Sequence, residues 1–267
     1  MYEEHFGLRP RPFGESAGFL ADVALPSRDA VRRRLRYGLE HGQGPALLFG
    51  PPGTGKTRLA RVLARDLGGR SAHLTFPAMP AAELMAYLAD ELGCPDFGGP
   101  GLSGSVRRLR AGLAASVAKG ERPLLIVDEA HLIDDPATFE TIRLLLNFAT
   151  AGPPDLSLLI VGGAEVLLRL PPALVDRLTA RCLLGPLAAA ESAAYVLGRL
   201  EAAGARVALF EPPALLELHR AADGLPRRLN RLADLALLIA YAEGLDRPGI
   251  PAVHAAARES APDAMAA

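Results

Sequence analysis

The sequence is poor in the residues that build crosslinked or zinc-stabilised proteins. It contains two cysteines, Cys94 and Cys182, and neither has a cysteine or histidine partner at the spacing of a metal site. A disulfide scaffold and a structural zinc site are therefore both disfavoured. Two isolated cysteines are consistent with a reducing compartment, and we predict a cytoplasmic location.

Charge of one sign and long apolar stretches are also missing. The 29 basic and 30 acidic residues leave a net charge of −1, so no overall attraction to nucleic acid or to an acidic membrane is expected. The N-terminal stretch is polar and broken by prolines, which excludes a signal peptide. The longest apolar helical pattern, 232–245, contains acidic residues and is too short to span a bilayer. No transmembrane segment is predicted.

Half of the 267 residues are hydrophobic, and short apolar runs alternate with helical patterns. The runs predict strands, and the patterns between them predict helices. Such alternation predicts an α/β core in which a parallel sheet is flanked by helices. The predicted strands are 46–49, 71–76, 124–127, 156–161 and a weaker 181–184, and the predicted helices are 27–41, 57–67, 81–92, 105–119 and 135–149.

The chain divides into four predicted segments. Residues 1–26 are rich in proline, glycine and phenylalanine and are expected to form an extended lead-in to a core at 27–185. After Pro186 the helical patterns have no strands between them, which predicts a small all-α domain at 186–260. Residues 261–267 are expected to be a disordered tail, and the glycine-rich stretch 94–104 is expected to be a loop.

The stretch GPPGTGKT, residues 50–57, matches the phosphate-binding pattern G-x-x-x-x-G-K-[ST] between a predicted strand and a predicted helix. Backbone amides of such a loop, together with the helix N-terminus, bind phosphate oxygens. Lys56 would reach the β- and γ-phosphates of ATP, and the Thr57 hydroxyl would bind Mg²⁺. The predicted nucleotide-binding residues are Gly50, Pro51, Pro52, Gly53, Thr54, Gly55, Lys56, Thr57 and Arg58.

A second motif, LLIVDEAH at 124–131, ends a predicted buried strand on two carboxylates. Asp128 is predicted to hold Mg²⁺ and Glu129 to act as the general base toward the attacking water. Residues 128–131 also spell a helicase box. That class needs two nucleotide-binding lobes, whereas one glycine-loop motif is present, so His131 is interpreted as an early helix residue near the site.

Three groups of arginines are candidates for contacts with phosphate. Arg177 and Arg181 follow the fourth strand, where an arginine can reach the γ-phosphate of a neighbouring subunit, although a solvated helix face is an equally good interpretation. Arg227, early in a helix of the C-terminal domain, is a candidate sensor of the same nucleotide. The third group lies on an arginine-rich predicted helix and could contact phosphates of DNA, but a solvated helix face is the favoured interpretation. This group contains Arg28, Arg32, Arg33, Arg34 and Arg36.

Over residues 2–243, these motifs together resemble the AAA+ ATPases of the general secretion pathway protein A (ExeA-like) type, which are similar to transposon-encoded target-selection ATPases. The resemblance implies a P-loop core with a helical lid. It favours Arg177 over Arg181 as the arginine finger and implies that Arg227 is sensor 2. The matching segments are Phe6-Gly7-Leu8, Pro12-Phe13, Tyr37-Gly38, Asp128-Glu129-Ala130, 144–148, 177–187 and 224–234.

Two departures from that family shape the expected function. Its members usually place a glutamine, the sensor 1 residue, where this chain has Gly163. Water or a neighbour such as Asn147 would have to substitute, so we expect ATP hydrolysis to be slow. Secretion-type members often continue into a membrane segment and a peptidoglycan-binding domain, which this sequence does not contain, so that secretion role is not expected to carry over.

The sequence therefore predicts a Mg²⁺-dependent ATPase whose nucleotide state controls assembly into a homo-oligomer or the binding of a partner. An alternative is an ATP-dependent DNA-binding or transposase-targeting protein in which assembly, rather than turnover, is the function. A third is a scaffold that retains its nucleotide and barely hydrolyses it.

Overall fold

The computed structural model describes residues 1–14, 23–41, 44–97, 99–150 and 152–260. The chain forms two compact units. One, the sheet unit, comprises Ala30–Leu184, and the other, the helical unit, comprises Met1–Asp29 with Gly185–Ala267. The helices within the described ranges include none that is long and apolar enough to span a membrane.

The sheet unit contains a parallel sheet whose described part has five strands in the order β2-β3-β4-β1-β5. Each neighbouring pair is parallel, as the alternation of strands and helices predicts. β4 lies between β1, which precedes the glycine loop at 50–57, and β3, which precedes Asp128 and Glu129. The strands are β1 Ala46–Phe49, β2 Ser71–Leu74, β3 Leu124–Val127, β4 Ser157–Gly162 and β5 Ala180–Leu183.

Helices cover both faces of this sheet, which explains why its central strands are continuous apolar runs. In β3, Leu125 and Val127 pack in one buried cluster with side chains of α4, α5 and α6. Leu124 and Ile126 pack in another, with α2 and α3. The helices of this part of the chain are α2 Pro26–His41, α3 Lys56–Leu67, α4 Ala81–Glu91, α5 Gly101–Val117, α6 Pro136–Leu145, α7 Val166–Arg169 and α8 Pro172–Val175.

The helical unit is built on one buried apolar cluster, as its uninterrupted helical patterns predict. Leu218, Leu229, Ala236 and Val253, from its last three helices, pack together in this cluster. The helices of its C-terminal part are α9 Ala189–Ala202, α10 Pro212–Ala222, α11 Pro226–Ala242 and α12 Ile250–Ser260.

The N-terminal segment differs from the expected extended lead-in. Tyr2–His5 forms a short helix, α1, and the side chains of Tyr2, Phe6, Leu8 and Phe13 are buried in the cluster of the helical unit. The buried Arg199 donates two hydrogen bonds, at 2.9 and 2.7 Å, to the Pro12 carbonyl. These apolar side chains bury their surface on the helices, so the segment is part of a folded core.

Three further predictions concern a loop, a helix and the C-terminal tail. The predicted loop 94–104 is shorter than expected, because α5 begins at Gly101, and the helix predicted at 135–149 ends at Leu145. The predicted disordered tail, 261–267, lies outside the described residues.

Candidate nucleotide-binding site

The glycine loop at 50–57 joins the end of β1 to the first residue of α3. Gly53 and Gly55 adopt positive φ values of 80° and 94°, a conformation that glycine reaches without steric cost. A Cβ atom on Gly50 would lie 2.3 Å from the carbonyl oxygen of Leu184. The loop therefore needs glycine at these three positions for steric reasons. A hydrogen bond also connects the loop to β4, because the Gly50 amide donates to the Gly162 carbonyl at 3.3 Å.

The loop folds around the ammonium group of Lys56. This side chain is only 8% exposed, and its Nζ donates to the carbonyl oxygens of Gly50 at 2.9 Å and Pro51 at 3.0 Å. The buried Thr54 hydroxyl donates to the same Pro51 carbonyl at 2.9 Å. Because a cation and the positive end of a helix dipole both attract negative charge, the geometry of this loop suits an anion with several oxygens.

Asp128 lies directly after β3 and is 3% exposed. Its carboxylate accepts hydrogen bonds from His73 Nε2 at 3.2 Å, from the Glu129 amide at 2.9 Å and from the Thr57 hydroxyl. Burial raises the pKa of Asp128, but these hydrogen bonds lower it more, so the net pKa lies below the ordinary value. The structure thus places an ionised carboxylate against the last residue of the glycine loop.

Glu129 has an unusual backbone conformation. Its φ and ψ are 49° and 34°, the left-handed region that costs a non-glycine residue on the order of 1–2 kcal/mol. Its side chain is 46% exposed, and its Oε2 lies 3.4 Å from Nδ1 of His131. A short 3₁₀ turn, Ala130–Leu132, follows. Strain of this kind is common at functional sites.

The end of β4 lies beside that turn, and Gly163 has no side chain to present there. Its amide donates to His131 Nδ1 at 3.3 Å. A Cβ atom on Gly163 would lie 2.1 Å from Oε2 of Glu165, so the Glu165 carboxylate occupies that space. Asn147, considered above as a substitute for sensor 1, makes a different contact, because its Oδ1 accepts from Arg177 Nη1 at 3.3 Å.

The remaining candidate arginines lie in different environments. Arg181, on β5, places its guanidinium 5.7 Å from the ring centroid of Phe49, the residue before the loop. Arg58 is partly buried in the first turn of α3. Arg227 is exposed in the first turn of α11 in the helical unit. Arg181 thus contacts an aromatic ring of its own chain, and Arg177 contacts the neutral amide of Asn147.

Several arginines of the arginine-rich helix α2 form ion pairs or hydrogen bonds within the chain. Arg32 forms a two-bond ion pair with Asp66, at 2.5 and 2.6 Å, and Arg36 pairs with Glu40 at 2.8 Å. Arg28 donates to a backbone carbonyl at 2.8 Å. These contacts support the interpretation of a solvated helix face over that of a phosphate-binding one.

Sequence reasoning missed His73, and it placed His131 near the site without predicting its contacts with Glu129 and Gly163. His73 belongs to β2 and bonds Asp128, and His131 lies between Glu129 and Gly163. Because the C-terminal ends of neighbouring parallel strands lie at one edge of a sheet, a polar residue near the end of β2 was a usable signal for His73.

Known proteins are similar to this chain in sequence, and others are similar to it in fold. A protein-family profile described as an AAA domain matches residues 39–170. General secretion pathway protein A of Aeromonas hydrophila is 36% identical over 251 residues, which cover 91% of this chain and 46% of that protein. The chain thus spans about half the length of this curated relative.

Solved structures of similar fold include two from Aeropyrum pernix. The ORC2 protein, in ADPNP and ADP complexes, superposes with a TM-score of 0.70 at 20% identity, covering 93% of this chain and 71% of that one. The ORC1 protein in complex with DNA gives the same TM-score and identity, covering 96% and 70%. The chain therefore has the AAA+ fold, with an AAA domain at residues 39–170, and is similar to general secretion pathway protein A along most of its length.

Proposed function

We propose that this protein binds ATP with Mg²⁺ on the Gly50–Thr57 loop and hydrolyses it to ADP and phosphate. The observation that carries the proposal is the hydrogen bond between Thr57 and Asp128, beside a loop that closes on the Lys56 ammonium. The AAA domain at 39–170 supports it.

The donor groups fit a magnesium ion. The Thr57 hydroxyl and the Asp128 carboxylate are hard oxygen donors, which Mg²⁺ prefers. Among the residues that the structure describes, no three His, Cys, Asp or Glu side chains form a metal site. Mg²⁺ at nucleotide sites is usually held by one or two protein groups, while water and phosphate oxygens complete its shell. When bound, Mg²⁺ would neutralise charge on the β- and γ-phosphates.

The loop would hold the triphosphate, and Lys56 would exchange its carbonyl contacts for phosphate oxygens. Amides from Gly53 to Thr57 and the positive end of α3 add favourable interactions with the negative charge. Arg58, in the same first turn, is a further group that would bind this end of the nucleotide.

For hydrolysis, Glu129 is the proposed general base. Its carboxylate takes a proton from the attacking water, the water oxygen bonds to the γ-phosphorus, and the bond to the β-γ bridging oxygen breaks. ADP leaves with that oxygen, and the new phosphate carries the water oxygen. We expect slow turnover, because the end of β4 offers no side chain at Gly163 to place the water.

We further propose that ATP promotes assembly into a homo-oligomer. Arg177 would then reach the γ-phosphate held by a neighbouring subunit, since its contact with the neutral Asn147 amide is weaker than one with phosphate. Arg227 would report the nucleotide state to the helical unit, which acts as a lid. Arg181 is the weaker finger candidate because its guanidinium lies on Phe49.

The proposed role is secretion-pathway-A-like in a limited sense, namely that nucleotide state controls the binding of a protein partner. The proposal draws on the relative named above, of which this chain covers 46%. We place the activity in the cytoplasm, where ATP is available and the free, buried Cys94 and Cys182 stay reduced.

Nucleotide binding tests the first step, and the sequence provides a matched control. Lys56 and Lys119 are its only lysines, and Lys119 is an exposed turn residue. With a fluorescent ATP analogue and Mg²⁺, we expect Lys56→Ala to weaken binding about 10- to 100-fold, and Lys119→Ala to bind like wild type. Equal affinities for all three proteins would refute the proposed site.

A further inference from the structure

His131 joins the ends of two strands at the proposed reaction centre. Its Nδ1 lies 3.3 Å from the Gly163 amide nitrogen, after β4, and 3.4 Å from Oε2 of Glu129, after β3. The ring is 27% exposed, so it is partly shielded from water. One imidazole nitrogen therefore contacts both the proposed base and the position where the related family has its sensor 1 side chain.

A single nitrogen can serve only one of these partners at a time. When Nδ1 carries no hydrogen, it accepts from the Gly163 amide, and when it carries one, it donates to the Glu129 carboxylate. In the structure, Nδ1 lies 3.4 Å from that carboxylate and within hydrogen-bond distance of the Gly163 amide. The position next to Gly163 thus places the ring beside Glu129, and the hydrogen bond that a protonated Nδ1 donates would orient the Glu129 carboxylate.

The space around Gly163 would admit a polar side chain beside the His131 ring. Gly163 has no positive φ, so its backbone would accept a side chain. A Cβ atom there would lie 3.8 Å from Cγ of His131, an ordinary contact, and would have to displace only the flexible end of Glu165. Position 163 therefore has room for a polar group next to the ring, and His131 is the polar side chain that already bonds its backbone.

We propose that His131 is a positioning residue that holds the Glu129 carboxylate toward the attacking water, in place of the polar side chain that β4 lacks. The inference rests on the proposed ATPase function. His73 has a separate role, because it bonds the other carboxylate, Asp128.

The test measures kcat and KM for ATP in four proteins. We expect His131→Ala to lower kcat about 10- to 100-fold, the cost of a misplaced catalytic group, with KM unchanged. His131→Asn, whose amide lies at the place of Nδ1, should keep most of the kcat. His254→Ala, which removes an exposed histidine of the helical unit, should match wild type.

A compensating change keeps the test decisive if His131→Ala is partly unfolded. Adding Gly163→Gln to His131→Ala supplies an amide beside Glu129 and should restore part of the lost kcat. The inference is overturned if His131→Ala keeps wild-type kcat. It is also overturned if His131→Asn and the double variant are both as impaired as His131→Ala, or if KM rises as kcat falls. Wild type without turnover would instead refute the proposed function.

Discussion

The hydroxyl of Thr57, at the start of α3, donates a hydrogen bond to the carboxylate of Asp128, at the end of β3. Thr57 is the last residue of the glycine loop, and Asp128 is the first of the two carboxylates that follow β3. Their contact joins the proposed phosphate-binding and metal-binding parts of the site.

Thr57→Val removes the hydroxyl but keeps the shape of the side chain. We expect the Mg²⁺ concentration needed for half-maximal ATP binding to rise about 10- to 100-fold, because a ligand and the hydrogen bond that orients Asp128 are both lost. Thr57→Ser, which keeps the hydroxyl, should stay near wild type. Magnesium titrations monitored with a fluorescent ATP analogue measure the effect, and identical titrations for Val and Ser would contradict it.

Arg177→Ala should retain ATP binding and lose turnover by about 10³-fold or more, the usual effect of removing an arginine finger. Arg181→Ala should have a smaller effect, because it removes a contact with Phe49 in the same chain. The trans mechanism has a sharper test.

Mixing Arg177→Ala with Lys56→Ala pairs an intact nucleotide site with an intact finger, so the mixture should hydrolyse ATP when neither protein alone does. Size measurements with a slowly hydrolysed ATP analogue should show larger particles than without it. A mixture that stays inactive, or a wild type that is monomeric under both conditions, would remove the trans mechanism.

Gly163→Gln should raise kcat, by up to about 10-fold, because it supplies a polar side chain near the attacking water and displaces only the end of Glu165. Gly162→Gln is not a suitable control, since a Cβ atom there would meet Val166 at 3.2 Å. Gly185→Gln is suitable, because a Cβ atom at that position meets nothing within 4 Å. An unaltered kcat in Gly163→Gln would refute the link between this glycine and slow turnover.

The stability of the helical unit should depend on the ionisation of Glu191. Its carboxylate accepts hydrogen bonds from the amide and the hydroxyl of Ser27, each at 2.8 Å. Burial raises the pKa of Glu191, but these bonds, the backbone of Ala188 and the charge of Arg28 lower it below the ordinary value. A lowered folded-state pKa stabilises the fold above the unfolded value of about 4.3, and this contribution is lost as pH falls through the folded value.

Urea unfolding between roughly pH 7 and roughly pH 3 measures this dependence. We expect Glu191→Gln to be less stable than wild type at neutral pH and to lose less stability on acidification. If the two proteins lose the same free energy of unfolding over this range, Glu191 does not contribute in this way.

The glycine loop and the Asp128–Glu129 pair could be predicted because each is a short pattern at the end of an apolar run. The contacts that complete the site are not local in sequence. His131 reaches Gly163 only because β4 lies beside β3, an order that no single segment encodes. The left-handed backbone of Glu129 likewise could not be predicted, because the sequence has a glutamate there and not the glycine that would indicate such a conformation.

The fold of the N-terminal segment likewise depends on contacts with residues that are distant in sequence. The Tyr2 hydroxyl donates to Asp234, 232 residues away, and Arg11 pairs with the same carboxylate. Prolines and glycines in this stretch favour an extended chain when they are read locally. Burial of its aromatic side chains against α11 and its neighbours outweighs that local preference.

The most direct test of the central claim is ATP turnover, measured as phosphate release with Mg²⁺ in wild type, Lys56→Ala and Glu129→Gln. We predict slow release by wild type, no release by Lys56→Ala because it binds ATP poorly, and about 10²-fold slower release by Glu129→Gln with ATP binding retained. Equal phosphate release by all three proteins would contradict the account.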